Sequence, residues 1–274
     1  MRKRQSPKRK VSKKKEQAPK PTVEILPIEY ETQAIEETAN VLFKPNKGPQ
    51  TDFLAAAERE VLYGGSAGGG KSYAMLADPL RYMGHPAFSG LLLRHTTEEL
   101  RELVFKSQEL YPKIWPGIKW SERKMQWTAP SGARLWMSYL DRDDDVLRYQ
   151  GLAFSWIGFD ELTQWSTPYA WNYMRSRLRS TAPDLPIYMR ATTNPGGRGH
   201  HWVKKTFIDP APYNRAFDAT DTDTGEVLRY PAGHEKAGRP LFKRRFIPAR
   251  LSDNPYLAES GDYEAMLLSM PEQQ

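Results

Sequence analysis

Between residues 50 and 195 the chain alternates short apolar runs with longer amphipathic stretches. Glu60-Val61-Leu62-Tyr63, Gly90-Leu91-Leu92-Leu93-Arg94, Trp156-Ile157-Gly158-Phe159 and Ile187-Tyr188-Met189-Arg190-Ala191 are four or five residues long and largely apolar. Such near-continuous runs are the pattern of strands covered on both faces, as in a parallel sheet. Between them the spacing predicts helices over 53–57, from Tyr73 onward, over 98–110 with Thr96 or Thr97 as its cap, and over 168–178. The alternation implies an α/β domain with a mainly parallel central sheet flanked by helices. One interruption is expected: residues 124–128 and 133–139 alternate on either side of Pro130-Ser131-Gly132, which predicts an inserted β-hairpin. A further helix is expected around 34–41. The Pro-, Gly-, Asp- and Thr-rich stretch 209–239 reads as irregular, with a hairpin inside it left open.

Charge divides the chain. The formal net charge is +7, but ten of the forty Lys and Arg fall in the first twenty residues against the single Glu16. The remainder carries thirty bases and thirty-two acids, so it is close to neutral at about −2. Residues 1–25 therefore read as a basic disordered tail, suited to nucleic-acid phosphates without reading sequence, with a merely solvated arm as the alternative. The start of the chain lacks the apolar core of a signal peptide, no run approaches the ~20 apolar residues of a membrane span, and cysteine is absent. A cytosolic protein is expected, without membrane contact.

Candidate chemistry sits at two strand ends. Gly65-Ser66-Ala67-Gly68-Gly69-Gly70-Lys71-Ser72 fits G-x-x-x-x-G-K-[ST] at every fixed position, between an apolar run and a helical one. Glycines let successive backbone N–H groups turn inward around phosphates, Lys71 would reach the β- and γ-phosphates, and the Ser72 hydroxyl would hold Mg²⁺. The expected ligands are ATP and Mg²⁺. Asp160 and Glu161 end the run that begins at Trp156: Asp160 would hold the metal through water, and Glu161 would polarise the attacking water as general base. This pairing points to a P-loop NTPase of the additional-strand, catalytic-glutamate class.

Gln50, Leu62-Tyr63-Gly64 with the loop Gly65 to Ser72, Arg148-Tyr149-Gln150-Gly151, Ile157-Gly158-Phe159-Asp160-Glu161-Leu162-Thr163-Gln164-Trp165 and Thr192-Thr193-Asn194-Pro195 occur in this order. Together they resemble the large subunit of tailed-phage terminases, over roughly residues 40–258. The resemblance implies an ATP-hydrolysing motor that drives double-stranded DNA into a phage procapsid in the host cell cytoplasm. It implies a homo-oligomeric ring, with the phage portal protein and the small terminase subunit as partners. It also implies an adenine contact for Gln50, whose alternative is a surface turn. Thr193 and Asn194 would couple hydrolysis to movement, and an Asx turn before Pro195 could coexist with that role. Arg148 would be an arginine finger aimed at a neighbouring subunit's phosphates. Arg142, Arg175, Arg177 and Arg179 compete for the role, and an ion pair of Arg148 with Asp144 is the alternative.

The expected domain plan is the tail 1–25, a P-loop ATPase domain over 26–250, and 251–274 as a linker toward a nuclease domain outside this chain, so that no DNA cleavage is expected from it. A helicase-like DNA-dependent ATPase and a non-hydrolysing DNA-binding prophage remnant stand as alternatives. Asp141, Asp143, Asp144 and Asp145 read as a solvated helix start rather than a calcium loop. His200 and His201 read as a loop, and most of the eight tryptophans as packing.

Overall fold

The structure is a computed structural model that describes residues 43–66 and 68–254; the basic tail, the helix expected around 34–41 and Ala67 lie outside the described residues. Nine strands form one sheet: β1 (Glu60–Gly65), β2 (Ser89–Arg94), β3 (Lys119–Ser121), β4 (Gln126–Thr128), β5 (Arg134–Tyr139), β6 (Trp156–Phe159), β7 (Tyr188–Thr193), β8 (Ala216–Asp218) and β9 (Lys243–Ala249). Their spatial order is β3-β4-β5-β2-β6-β7-β1-β9-β8. The run from β5 to β9 is parallel, and only the outer pairs β3–β4, β4–β5 and β8–β9 are antiparallel. β7 lies between β1 and β6, which is the additional strand that the sequence class requires.

The apolar runs form strands because both of their faces are covered. Val61, Tyr63 and Leu92 point into one core layer with Phe53, Met75, Leu100 and Tyr111. Leu62, Leu91 and Leu93 point the other way, against Trp171, Met174, Val203 and Phe207. The first layer is covered by α1 (Pro49–Ala55), α2 (Lys71–Ala77) and α3 (Thr97–Ile114); the second by α4 (Tyr169–Arg175) and by α5 (His200–Val203), which continues as a π turn, Lys204–Ile208. Thr96 is the cap of α3: its hydroxyl accepts from the Glu99 N–H, and the Glu99 carboxylate accepts from the Thr96 N–H, both at 3.3 Å.

Several expectations shift. The hairpin is β4–β5, but a third strand, β3, extends it; three residues are too few to reveal a period. His200 and His201 open α5 rather than lying in a loop. Asp145 takes the N–H groups of Asp141 and Arg142 at the start of a 3₁₀ turn, as a helix start should. The stretch 209–239 is mostly irregular, with β8 and two isolated bridges inside it. Five tryptophans, at 127, 156, 165, 171 and 202, are buried.

β9 adds to the expected strands, because Lys243-Arg244-Arg245-Phe246-Ile247-Pro248-Ala249 carries three cations and a proline. Burial of Arg244 explains it. Its Nε lies 2.6 Å from Glu60 Oε2, while Arg175 Nε lies 2.5 Å from Glu60 Oε1, so each carboxylate oxygen takes one guanidinium. Burial alone would push the Glu60 carboxyl up, but Arg244 and Arg175 outweigh it and hold it below the ordinary value. Glu60 faces Arg244 in the β1–β9 register, and five residues on Gly65 faces Ala249.

Removing Arg244 leaves the buried Glu60 carboxylate with Arg175 alone, so Arg244→Met is expected to lower stability by roughly 3 kcal/mol in denaturant titration. Arg244→Met combined with Glu60→Leu and Arg175→Met should recover most of that loss, because none of the three charges is left behind. A carboxyl held below its ordinary pKa stabilises the fold above that ordinary value, and the contribution disappears as pH falls through the lowered one. The wild type should therefore lose more stability than the triple variant on acidification through that window.

Candidate nucleotide-binding site

The glycine loop runs from the end of β1 to the start of α2 and lines a cavity of about 380 Å³ with Lys71, Ser72, Arg94, Glu161, Asn194 and Asn254. Its glycines are required by contact and by backbone shape. Gly65 has φ +137°, and a Cβ there would stand 2.0 Å from the Ala249 carbonyl oxygen. That carbonyl accepts from the Ser66 N–H at 3.0 Å, so β9 holds the loop from behind. Gly70 has φ +74°, and its carbonyl accepts from Gln50 Nε2 at 2.9 Å. Tyr63 donates its hydroxyl to the Gly69 carbonyl at 2.7 Å. The outward-turned carbonyls are thus tied to the protein body, and Gly70 provides no side-chain cap for α2.

Lys71 is buried and donates to the Ser66 carbonyl at 2.6 Å. Burial lowers its pKa, with Glu161 and Asp160 acting in opposition. Asp160 follows β6 and is almost fully buried. Its Oδ1 accepts from the Thr192 hydroxyl, while Oδ2 has no hydrogen-bond partner among the described residues and lies 3.2 Å from Arg94 Nε. Asp160 offers a buried carboxylate oxygen without a hydrogen bond and Ser72 a hydroxyl on the cavity wall, both hard oxygen donors of the kind magnesium takes.

Glu161 occupies the left-handed region at φ +61°, unusual for a side-chain-bearing residue and a sign of local backbone strain. Its N–H donates to Thr192 Oγ1 at 3.0 Å; its carboxylate accepts from the Asn194 N–H at 3.0 Å and from Asn194 Nδ2 at 2.6 Å. The acid is clamped by the end of β7. Burial and Asp160 push its pKa up, against Lys71 and Arg94. Thr193, one residue earlier, bonds the Thr163 hydroxyl at 3.0 Å.

Gln50 is not a surface turn. It is buried in the first turn of α1, where Oε1 accepts from the Asn46 N–H at 2.6 Å while Nε2 holds Gly70, and it does not line the cavity. Ala67 lies outside the described residues. Arg148 does not line the cavity either: it donates to the Tyr139 carbonyl at 2.8 Å and pairs with Asp145, not Asp144, at 3.4 Å. Of its competitors, Arg175 is committed to Glu60, Arg177 lies over the Tyr173 ring and Arg179 donates to the Gly151 and Leu152 carbonyls.

Lining residues that escaped the sequence reading include Arg94, Asn254 and the paired Glu102 and Lys106. Arg94 looks like the polar end of an apolar run, and only the β2–β6 pairing carries it to Asp160. Asn254 donates to the Gly68 carbonyl at 2.5 Å from a segment 186 residues away in sequence, and nothing local marks it.

The family model of the phage terminase large subunit matches residues 57–229. The sequence matches no curated protein. Among solved structures, the large terminase of a thermophilic bacteriophage, determined in complex with ADP, aligns with a TM-score of 0.57 at 16% identity over 84% of this chain and 51% of that one. The large terminase ATPase domain of Thermus phage P74-26 aligns with a TM-score of 0.52 at 13% identity, over 84% of this chain and 90% of the domain. This chain therefore spans about half the length of the first of these proteins. At such identities the likeness bears on the fold, which is that of a P-loop NTPase. The family match covers more than half of the chain, including the glycine loop, the acidic strand end and the β7 terminus, and the chain belongs to the phage terminase large subunit family.

Proposed function

We propose that this chain is the ATPase part of a DNA-packaging motor, hydrolysing ATP to drive double-stranded DNA into a phage procapsid. The observation that carries it is the joint presence, around one cavity, of the glycine loop, Lys71 and a half-buried, clamped Glu161 next to Asp160. Family membership favours this reading over a helicase-like ATPase or a non-hydrolysing remnant. ADP in the related thermophilic-phage structure supports a nucleotide as the ligand. Double-stranded DNA, the portal protein, the small subunit, a ring of like subunits and the host cytoplasm as the place of action belong to the same proposal. So do the domain limits 26–250 and the role of the tail.

The loop N–H groups and Lys71 would bind the phosphate chain, with Lys71 exchanging the Ser66 carbonyl for phosphate oxygens. Gln50 sets the shape of the loop through Gly70 and retains one amide hydrogen and one lone pair for an adenine edge. Magnesium, held by Ser72 and through water by Asp160, would neutralise charge developing on the phosphates. Glu161 would accept the proton of the attacking water, and burial keeps its basicity above that of an ordinary carboxylate. Asn194 donates to both Glu161 oxygens, so protonation of Glu161 or a change at the phosphates alters the bonds that hold the end of β7. Those bonds are a physical route for the coupling role of Thr193 and Asn194. Arg148, half exposed and outside its own cavity, would exchange the Tyr139 carbonyl and Asp145 for the phosphates of a neighbouring subunit's site.

Glu161→Gln is expected to leave Mg-ATP affinity within a few-fold of wild type and to cut turnover by ~10² or more, as loss of a general base does. Since the Glu161 pKa is raised above 4.5, wild-type turnover should fall on acidification at a pH above the usual carboxylate range. Loss of binding in Glu161→Gln would instead make Glu161 a metal or structural acid.

Arg148→Ala should bind ATP and hydrolyse it slowly. Mixed with Lys71→Ala subunits, which retain the arginine but lack a working loop, it should recover part of the ~10³-fold that such arginines contribute. The measurement is ATPase activity against mixing ratio, with co-assembly verified by light scattering. Absence of rescue in verified mixed assemblies returns Arg148 to its pairing with Asp145.

A further inference from the structure

Three arginines of the sheet region are buried: Arg94, Arg190 and Arg244. Two are held by structural hydrogen bonds. Arg190 donates to the carbonyls of Ala56 and Glu58, and Arg244 to Glu60 and the Thr220 carbonyl. Arg94 differs. Its Nε and Nη1 are buried without a hydrogen-bond partner among the described residues, although Nε stands 3.2 Å from Asp160 Oδ2, an oxygen that is unsatisfied itself. Charge attraction is present there without hydrogen-bond geometry. Leaving guanidinium donors unmade at a buried position is costly, and a site that tolerates it is arranged for another acceptor.

The location identifies that acceptor. Arg94 ends β2, in register with the β6 terminus, and lines the same cavity as Gly68, Gly69, Gly70, Lys71 and Glu161. An anion entering this space meets three cations: Lys71 from the loop, Arg94 from the facing strand, and Lys106, which is paired with Glu102 at 2.5 Å. A planar guanidinium can donate two parallel hydrogen bonds to a phosphate, which the Asp160 contact does not provide.

We propose that Arg94 is a second phosphate-binding cation of this chain's own site, which exchanges Asp160 for the terminal phosphate of a nucleoside triphosphate and so distinguishes it from a diphosphate. The inference rests on the nucleotide reading of the cavity. In leaving Asp160, Arg94 also frees Oδ2, so that arrival of the third phosphate and release of the carboxylate are one event.

The test is nucleotide binding by the full chain with magnesium present, measured by fluorescence titration in a Glu161→Gln background so that ATP persists. Arg94→Gln is expected to weaken ATP by at least ~10-fold while changing ADP affinity by less than ~3-fold, a tenfold loss being ~1.4 kcal/mol. Arg94→Lys, which keeps the charge but not the fork, should fall between. ADP binding near the wild-type level also demonstrates that the variants fold. Equal weakening of ATP and ADP, or indifference to both, would overturn the proposal and leave Arg94 as a neutraliser of Asp160. If Arg94→Gln does not fold, Arg94→Lys decides alone: an ATP to ADP affinity ratio equal to that of the parent protein overturns the proposal. A parent protein that binds neither nucleotide would overturn the nucleotide reading instead.

Discussion

The buried contact of Glu60 with Arg244 and Arg175 is the constraint on which the site depends. Apolar strands side by side can slip, but a carboxylate in a dry interior has one acceptable neighbour arrangement. With Glu60 opposite Arg244, β9 lies in the one register that sets Ala249 against Gly65. The Ala249 carbonyl then receives the Ser66 N–H and leaves no room for a side chain at residue 65. An ion pair at the start of β1 thus specifies the loop at its other end. Arg175 brings α4 from the opposite layer into the same contact, so a helix more than a hundred residues away in sequence shares in fixing the loop.

Beside the Lys106–Glu102 pair on its wall, the cavity brings Asp160 and Glu161 together with Lys71 and Arg94. Burial and Asp160 raise the cost of ionising Glu161, and Lys71 and Arg94 reduce it. Hydrogen bonds separate the roles of the two acids. Asp160 has one oxygen spent on Thr192 and one uncommitted, whereas both oxygens of Glu161 are held by Asn194. The first is equipped to take a cation, and the second to change its bonding when it takes a proton.

Much of this was legible in the sequence, for a physical reason. Gly65 to Ser72 and the Asp160-Glu161 step were readable because their chemistry needs fixed residue types at fixed spacing beside an apolar strand. The additional-strand class was read from the Asp160-Glu161 pairing beside the glycine loop, and β7 lies between β6 and β1 as that class requires. What stayed hidden depends on partners far along the chain. β9 resembles a charged loop until Glu60, 184 residues away, is placed beside Arg244. Arg94 resembles the solvated end of a strand until β6 is alongside. Gln50 resembles a turn residue until Asn46 and Gly70 enclose it, and that contact assigns it to the support of the loop as well as to any base.

Both margins of the sheet end in three-residue antiparallel strands, β3 on one side and β8 on the other. Lys119 is exposed on β3, and Asp218 of β8 is engaged with Lys243 at 2.6 Å. Short, charged margins discourage one molecule from adding its backbone ladder to the next. Neighbours in an assembly must then meet through side chains and loops. Such contacts can be broken and remade without unzipping a sheet, as a machine whose subunits change posture in turn would need.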